Sequence, residues 1–555
     1  METVQIVVTV ALMFALAVPT GSWLYKIISG ERCFADPVFD KVDGAVYAIA
    51  GIHKDEDMGW KKYFSSLIIM NGIMFLIMWV MLMFQGFLPL NPNRAGNMSP
   101  YLAFNTAASF ITNTDWQSYN GESISYLAQM FLTAFMFIAP ASGLAAAAAF
   151  LRGVTGTGCL GNFYSDVVRF VTRLLLPLSI LCAVILIACG CPQTLNGNKV
   201  VTTIEGAKQV LALGPVASLE AVKNLASNGG GFFNANSAHP FENPNGISNF
   251  VTLISLGLIS TSMVFAFGKM AKDKKQGRVL FCVLASLLVL SIAVTCAAEF
   301  AGNHAATAAG LVNQAGNMEG KETRFGVGET SLFSAMTTAY QVGAVNGSQA
   351  SMTPMGGMMA MWNMILQTVF GGKGTGFIYV LMYAILTVFI CGLMVGRTPE
   401  YLGKKIEVRE MKMVSIGILA HPLFSLVPLA LAVLLPALSG AAAASGFHGM
   451  SQMFYACLSS SANNGSAFAG LDVSTPFWAI ILGCVMLLGR YVPLCAMLCA
   501  AGSLSRKKIV PVSSGTFRTD SPIFGLTLLF IIIVIGALSF FPALTLGPIA
   551  EQLTL

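Results

Sequence analysis

The sequence predicts an all-α polytopic membrane protein with about ten transmembrane helices, eight of them forming four pseudo-repeated span–pore loop–span units. Three observations predict it. Of 555 residues, 55% are hydrophobic and only 10% charged, against roughly 25% charged in an average soluble domain, and the mean hydropathy is +0.72. Ten apolar runs reach the roughly 20 residues that a helix needs to cross a bilayer core. Four of the connections between them carry similar half-apolar stretches at nearly constant spacing. This composition excludes a soluble multi-domain enzyme, a disordered chain and a nucleic-acid binder.

In chain order the runs lie near 5–28, 64–88, 124–150, 172–190, 248–268, 279–301, 376–396, 413–440, 477–502 and 523–545. The chain begins Met-Glu-Thr with no basic n-region, so the first run is expected to remain as a membrane helix. Apolar stretches near 355–370 and within 100–112 are too short to count as spans. The net charge of +6 is informative only by position. Of the 31 Lys and Arg residues, 23 fall in the connections after odd-numbered spans and seven in those after even-numbered ones, with Arg490 inside span nine. Cytoplasmic loops carry the excess of Lys and Arg, so both termini are expected outside. The densest cluster, Lys269, Lys272, Lys274, Lys275 and Arg278, reads first as an orientation signal. The twelve cysteines include no C-x-x-C pair, and most sit inside apolar runs as small hydrophobes.

The outside connections hold the chemistry. They contain Tyr101 to Asp115, Gly214 to Phe232, Thr330 to Gly347 and Gly449 to Phe468, each rich in Ser, Thr and Ala and ending in small polar residues. Such stretches are too short to span and fit re-entrant helices that enter and leave on one side. Thr114 to Gly229 is 115 residues, Gly229 to Gly343 is 114 and Gly343 to Gly465 is 122. The units are expected at 64–150, 172–268, 279–396 and 413–502. Residues 1–63 add an N-terminal span with its cytoplasmic loop, and 503–555 a cytoplasmic loop with the C-terminal span. Four such units can surround one ion filter. Irregular backbone at membrane depth is tolerated where it lines a cavity, and carbonyls there replace a cation's water. The tips are Thr112-Asn113-Thr114, Ser227-Asn228-Gly229, Gln341-Val342-Gly343 and Asn463-Asn464-Gly465. None carries a full TVGYG, which suits a single deep site. Any one tip alone reads as an ordinary Asn/Gly loop; four at matching places point to a cation pore.

Longer strings carry a resemblance. Asn113 to Ser123, Asn228 to Asn245, Asn317 to Val327, Gly396 to Met413 and Asn463 to Asp472 resemble the potassium-translocating subunit of the bacterial Kdp ATPase, and the similarity runs from the first span to Gln552. Trk, Ktr and HKT proteins share the four-repeat plan but lack these strings. The resemblance implies a potassium filter built from Asn113, Thr114, Ser227, Asn228, Gly229, Gln341, Val342, Gly343, Asn463, Asn464 and Gly465, with Gln117 at a position associated with ion affinity. It implies potassium as the transported ion and a location in the bacterial plasma membrane. The implied partners are a P-type ATPase catalytic subunit, a small single-span accessory subunit and a very small single-span peptide. Two departures stand out. Gln341-Val342 replaces a small polar residue followed by Cys, and Asp115 stands where the pattern has Asn, adding a carboxylate near the outer mouth.

No G-x-x-x-x-G-K-[ST] and no D-K-T-G occurs, and no segment is large and polar enough for a nucleotide-binding domain. ATP hydrolysis is therefore assigned to another chain. A stand-alone Trk-like channel or symporter is the alternative. Arg490 is read as the one clearly intramembrane charge, serving either as an electrostatic barrier below the filter or as a clamp on carbonyls of a broken neighbouring helix. The 302–375 segment, with Gly356-Gly357 and Gly371 to Gly374, is either a broken helix acting as a gate or a surface loop. Glu299 is expected as a solvated interfacial carboxylate, and His421 as a packed or water-bonded histidine.

Overall fold

Every apolar run becomes a helix, because in lipid a helix alone satisfies its backbone donors and acceptors within one segment. The computed structural model describes residues 2–554 except 35, 55, 157, 304–306, 309, 311–315, 395, 397 and 511–516. Arg397 of one quoted string and 511–516 of the last expected cytoplasmic loop thus lie outside the described residues. The first unit follows α1 (Glu2–Ser29) and α2 (Asp36–Ala50) and comprises α3 (Trp60–Met83), the short α4 (Pro100–Ile111) and α5 (Tyr126–Thr155). The second comprises α6 (Phe163–Cys189), α7 (Val216–Leu225) and α8 (Gly246–Met270). The third comprises α9 (Lys274–Ala301), α10 (Gly326–Ala339), α11 (Pro354–Leu366) and α12 (Thr375–Met394). The fourth comprises α13 (Val408–Leu434), α14 (Gly446–Ser461) and α15 (Pro476–Leu504), and α16 (Pro522–Thr554) closes the chain. Among the described residues, ten of these helices are long and apolar enough to cross a membrane. Among the described residues, strand structure beyond isolated bridges consists of two antiparallel pairs, β1 (Lys199–Thr202) with β2 (Lys208–Leu211) and β3 (Glu400–Tyr401) with β4 (Lys404–Lys405).

The second span of each unit faces inward. The most apolar stretch of α5, α8, α12 and α15 is 83%, 72%, 67% and 56% buried, against 33%, 39%, 44% and 39% for α3, α6, α9 and α13. The outer spans expose Ile, Leu and Val to the surrounding hydrocarbon, as do α1 and α16. Helices close on one another through small residues, since lipid offers no hydrophobic drive for association and tight contact must supply it. A Cβ on Gly21 of α1 would lie 2.6 Å from Phe265 Cβ of α8. One on Gly153 of α5 would lie 2.7 Å from the Ala501 carbonyl of α15, and one on Gly489 of α15 lies 2.4 Å from the Ser461 carbonyl of α14.

The structure departs from the sequence reading in three places and decides one that was left open. The fourth span begins at Phe163 rather than near 172, because its charged first turns find partners: Asp166 takes a bidentate pair from Arg152 and a bond from Tyr63, and Arg173 binds Asp36, Asp40 and Asp43. Those three aspartates lie on α2, an element that no apolar run announced. Glu299 is fully buried, paired with Lys321 Nζ at 2.7 Å and accepting from Thr353 N and Oγ1, so the solvated reading is overturned. The 354–376 stretch is a broken helix and not a surface loop: α11 stops at Leu366 and the chain crosses buried through Gln367 to Gly374 before α12. Lys373 sits in that break, 2% exposed, with Nζ donating to the Leu256 carbonyl at 2.6 Å, so Arg490 is not the lone interior cation.

Both ends of the chain meet the starts of the short helices. The Glu2 carboxylate accepts from Gly328 N at 2.7 Å, at the head of α10, and Glu551 meets His448 Nδ1 at 2.8 Å, at the head of α14.

Candidate functional site

The four short helices α4, α7, α10 and α14 end in one and the same way. Just after each, a non-glycine residue turns left-handed: Asn113 at φ +60°, Ser227 at +56°, Gln341 at +51° and Asn463 at +54°. The next amide in each case reaches back five residues: Thr114 N to Ser109 O at 3.0 Å, Asn228 N to Lys223 O, Val342 N to Thr337 O and Asn464 N to Ser459 O, all at 2.9 Å. This is the Schellman form of helix end, which satisfies orphan carbonyls and sends the chain sharply away. It turns each helix into a re-entrant tip, and the carbonyl ends of the four helix dipoles carry partial negative charge there.

The tips converge. A Cβ on Gly465 would lie 1.8 Å from the Thr114 carbonyl oxygen, and one on Gly229 would lie 2.7 Å from the same oxygen. One on Gly343 would lie 2.1 Å from the Asn464 carbonyl oxygen and 2.9 Å from the Gly229 Cα. Glycine is required at these three places because the neighbouring tip's backbone already fills the room of a side chain. Side chains close the circuit. Asn113 Nδ2 donates to the Ser227 carbonyl, Ser227 Oγ to the Tyr340 carbonyl at 3.1 Å, Asn464 Nδ2 to the Thr337 carbonyl at 3.0 Å, and Asn463 Nδ2 to Thr114 Oγ1 at 2.9 Å. Each tip is thus bonded to both neighbours, in a ring of four. Asn228 turns outward from the ring and donates to the Met136 carbonyl of α5 at 3.0 Å. Val342 is fully buried and contributes no side-chain ligand.

Above and below the ring lie two cavities. The outer one, about 320 Å³, is lined by Trp116, Gln117, Gly230, Gln452, Gly465 and Asp472, among others. Gln117 stitches the first tip to the irregular segment after the second, accepting from Gly231 N at 3.0 Å and donating to Gly231 O at 2.7 Å. The inner one, about 20 Å³, is lined by Gln341, Gln367, Tyr379, Asn463 and Arg490 among others, and has room for about one water. Arg490 donates to Thr375 Oγ1 at 3.3 Å and to the Ala139 carbonyl of α5 at 3.4 Å. The carbonyl it meets belongs to the continuous α5, and its other bond goes to the hydroxyl that opens α12 after the break, so the carbonyls of the broken helix are not its partners among the described bonds.

The family is decided by comparison of the whole chain. The sequence model of the family described as "KdpA: Potassium-transporting ATPase A subunit" matches residues 7–553. This chain belongs to the KdpA family. Similar relatives include the potassium-transporting ATPase potassium-binding subunits of Clostridium acetobutylicum, 49% identical over all of both chains, and of Alicyclobacillus acidocaldarius, 49% identical over 99% of this chain and 98% of that one. The corresponding subunit of Geobacillus kaustophilus is 48% identical over 98% of each. The crystal structure of the potassium transporter TrkH from Vibrio parahaemolyticus superposes with a TM-score of 0.52, covering 89% of this chain and 97% of that one at 14% identity, and so shares the fold.

This KdpA-family chain also carries interior polar groups that sequence reasoning missed. Behind the second tip, Lys223 of α7 pairs with Glu220 and stands 3.8 Å from Glu242, all three fully buried. Glu242 accepts from Phe233 N at 3.0 Å, and Glu220 from Ser237 Oγ at 2.6 Å and Asn224 Nδ2 at 2.7 Å. The signal was present as Glu220 and Lys223 three apart on a re-entrant helix, but their depth was not. Among the described residues, no group of three or more His, Cys, Asp or Glu is placed to hold a metal ion. His421, buried, meets Ser461 Oγ at 2.9 Å.

Proposed function

We propose that this chain is the potassium-binding and translocating subunit of a high-affinity, ATP-driven potassium import complex. The closed ring of four tips carries this reading. Backbone carbonyls at Asn113–Thr114, Ser227 to Gly229, Gln341 to Gly343 and Asn463 to Gly465 converge there at the negative ends of four helix dipoles, so that they replace the hydration shell of one cation. The ion arrives through the outer cavity beside Gln117 and Asp472. Arg490, a buried cation beneath the ring, opposes straight passage to the cytoplasm. The relatives' names as potassium-binding subunits supply the ion and the complex. The remaining members on this reading are a P-type ATPase chain that hydrolyses ATP, a small single-span subunit and a very small single-span peptide. The complex sits in the bacterial plasma membrane with both termini of this chain extracytoplasmic.

The shared fold with TrkH supports a second reading, a stand-alone channel or symporter. Rubidium or potassium uptake at micromolar external potassium, in cells lacking their own importers, separates the two. Uptake is expected only when the ATPase partners are co-expressed, and it stops when ATP is depleted. Robust uptake by this chain alone would establish the second reading.

A further inference from the structure

Helix α2 turns its polar side to the protein and its apolar side away. Asp36, Asp40, Asp43 and Tyr47 recur at steps of four and three residues and so share one side. That side is bound to α6: the three aspartates meet the Arg173 guanidinium, and the Tyr47 hydroxyl meets Ser165 Oγ at 3.3 Å. The opposite side carries Val38, Val42, Val46 and Ile49, exposed by 67%, 47%, 37% and 89%. A helix at a water-facing surface buries its apolar stripe against the core. Here the acids are buried against a neighbour and the stripe is presented outward.

Two observations fix the depth of that stripe. Helix α1 begins at Glu2 beside the head of α10 and ends at Ser29 on the far face, and α2 starts at Asp36 directly after it. Arg173, to which α2 is tied, lies about 24 Å along α6 from the other end of that helix at Cys189, at 1.5 Å per residue. A hydrocarbon core is about 30 Å thick, so the guanidinium and its carboxylates meet at the inner edge of the core. Ile180 and Val184, two and three turns beyond Arg173 on α6, are exposed, and the stripe continues this lipid-facing surface. Lys41, exposed beside the stripe, has a stem long enough to carry its ammonium to the headgroups. We propose that α2 is an interfacial helix whose Val38, Val42, Val46 and Ile49 rest in the acyl region of the leaflet on the face away from the outer cavity. The bilayer is the partner of this surface, and the Arg173 cluster is the fastening that holds the helix at that level.

The test attaches a bimane fluorophore to Val42→Cys in the full chain, purified with its partners and reconstituted into vesicles of phosphatidylethanolamine and phosphatidylglycerol. The signal of the parent chain, labelled through its native cysteines, is subtracted. Lipid brominated near the top of its acyl chains is expected to remove about half of the emission and aqueous iodide about a tenth or less, as a side chain about 5–10 Å into the interface requires. Ile204→Cys, at the fully exposed tip of the β1–β2 hairpin, is the water-facing reference. Iodide quenching at Val42 as strong as at Ile204 would place the stripe in water and overturn the proposal. Quenching by neither agent, or failure of the site to label, would mean that a partner chain covers it and would overturn the proposal equally. Should Val42→Cys not assemble, Ile49→Cys, at the most exposed point of the stripe, is read with the same two quenchers and decides by the same criteria.

Discussion

Asn113, Ser227, Gln341 and Asn463 hold left-handed backbone without being glycine, at about 1–3 kcal/mol each for a sparsely populated conformation. Three of them recover that cost by bonding to the next tip, which glycine could not do. Gln341 makes no such bond: its amide is buried without a partner among the described residues and lines the inner cavity near Arg490. Glycine is kept for the positions where a neighbour's carbonyl occupies the place of a Cβ. Gly465→Ala should consequently lower potassium affinity at least tenfold, about 1.4 kcal/mol, in a complex that still assembles. Gly206→Ala is the matched control, since Gly206 also has positive φ but nothing within 4 Å of its Cβ position. Equilibrium potassium binding by both variants checks this, and equal affinities would remove the crowding argument. At this scale the tips were legible as Asn, Ser, Thr and Gly at a period near 115 residues. Their cross-bonds were not, because they join residues more than a hundred positions apart. Glu299 was read as a solvated interfacial carboxylate, and Lys223 was only counted with the basic residues of an outside connection, because a sequence shows charge but not depth.

Among the elements, the re-entrant helices were legible and the broken one was not. A stretch of twelve apolar-to-small residues such as Pro100–Ile111 is too short to cross, so its length alone fixes its class. The 354–394 stretch offers two equal readings from its glycines, and only packing separates them: Gly371 and Gly374 are in contact with backbone of Gly376 and of Gly143, room that no side chain could share. The start of α6 was misread for the opposite reason, since interior partners for Asp166 and Arg173 let charged turns join a span. The last re-entrant helix, α14, is anchored at its head by the His448–Glu551 contact, in which the hydrogen bond to Glu551 holds the imidazole above its ordinary value. A raised histidine stabilises the fold fully below its unfolded pKa of about 6.5, and that contribution disappears as pH rises through the folded value. The pair is partly exposed and contributes less than about 1 kcal/mol. The Tm of the complex should accordingly fall by a degree or two more between pH 6 and 9 for the unmodified chain than for His448→Gln. Parallel thermal melts would show it, and identical pH slopes would mean that the contact does not hold the helix.

For the molecule as a whole, topology links the charge count to the ring. On the proposed orientation, taken from the bias of Lys and Arg, the connections after even-numbered spans lie outside, and those are the connections that carry α4, α7, α10 and α14. The structure puts Glu2 against the head of α10 and Glu551 against the head of α14, so both ends of the chain share a face with the outer cavity. That face carries the β1–β2 hairpin before α7, whose tip exposes Ile204 completely. The opposite face carries the Lys269 to Arg278 turn between α8 and α9, where Asp273 caps α9 and Lys275 is exposed. A filter that takes up ions from outside needs its tips nearer the first face than the second. Ile204→Cys should then react with a membrane-impermeant maleimide in intact cells above the level of the parent chain with its native cysteines, and Lys275→Cys only after the membrane is opened. The reverse pattern would turn the ring toward the cytoplasm, and with it the direction of transport, since the same four tips would then meet potassium where it is already abundant.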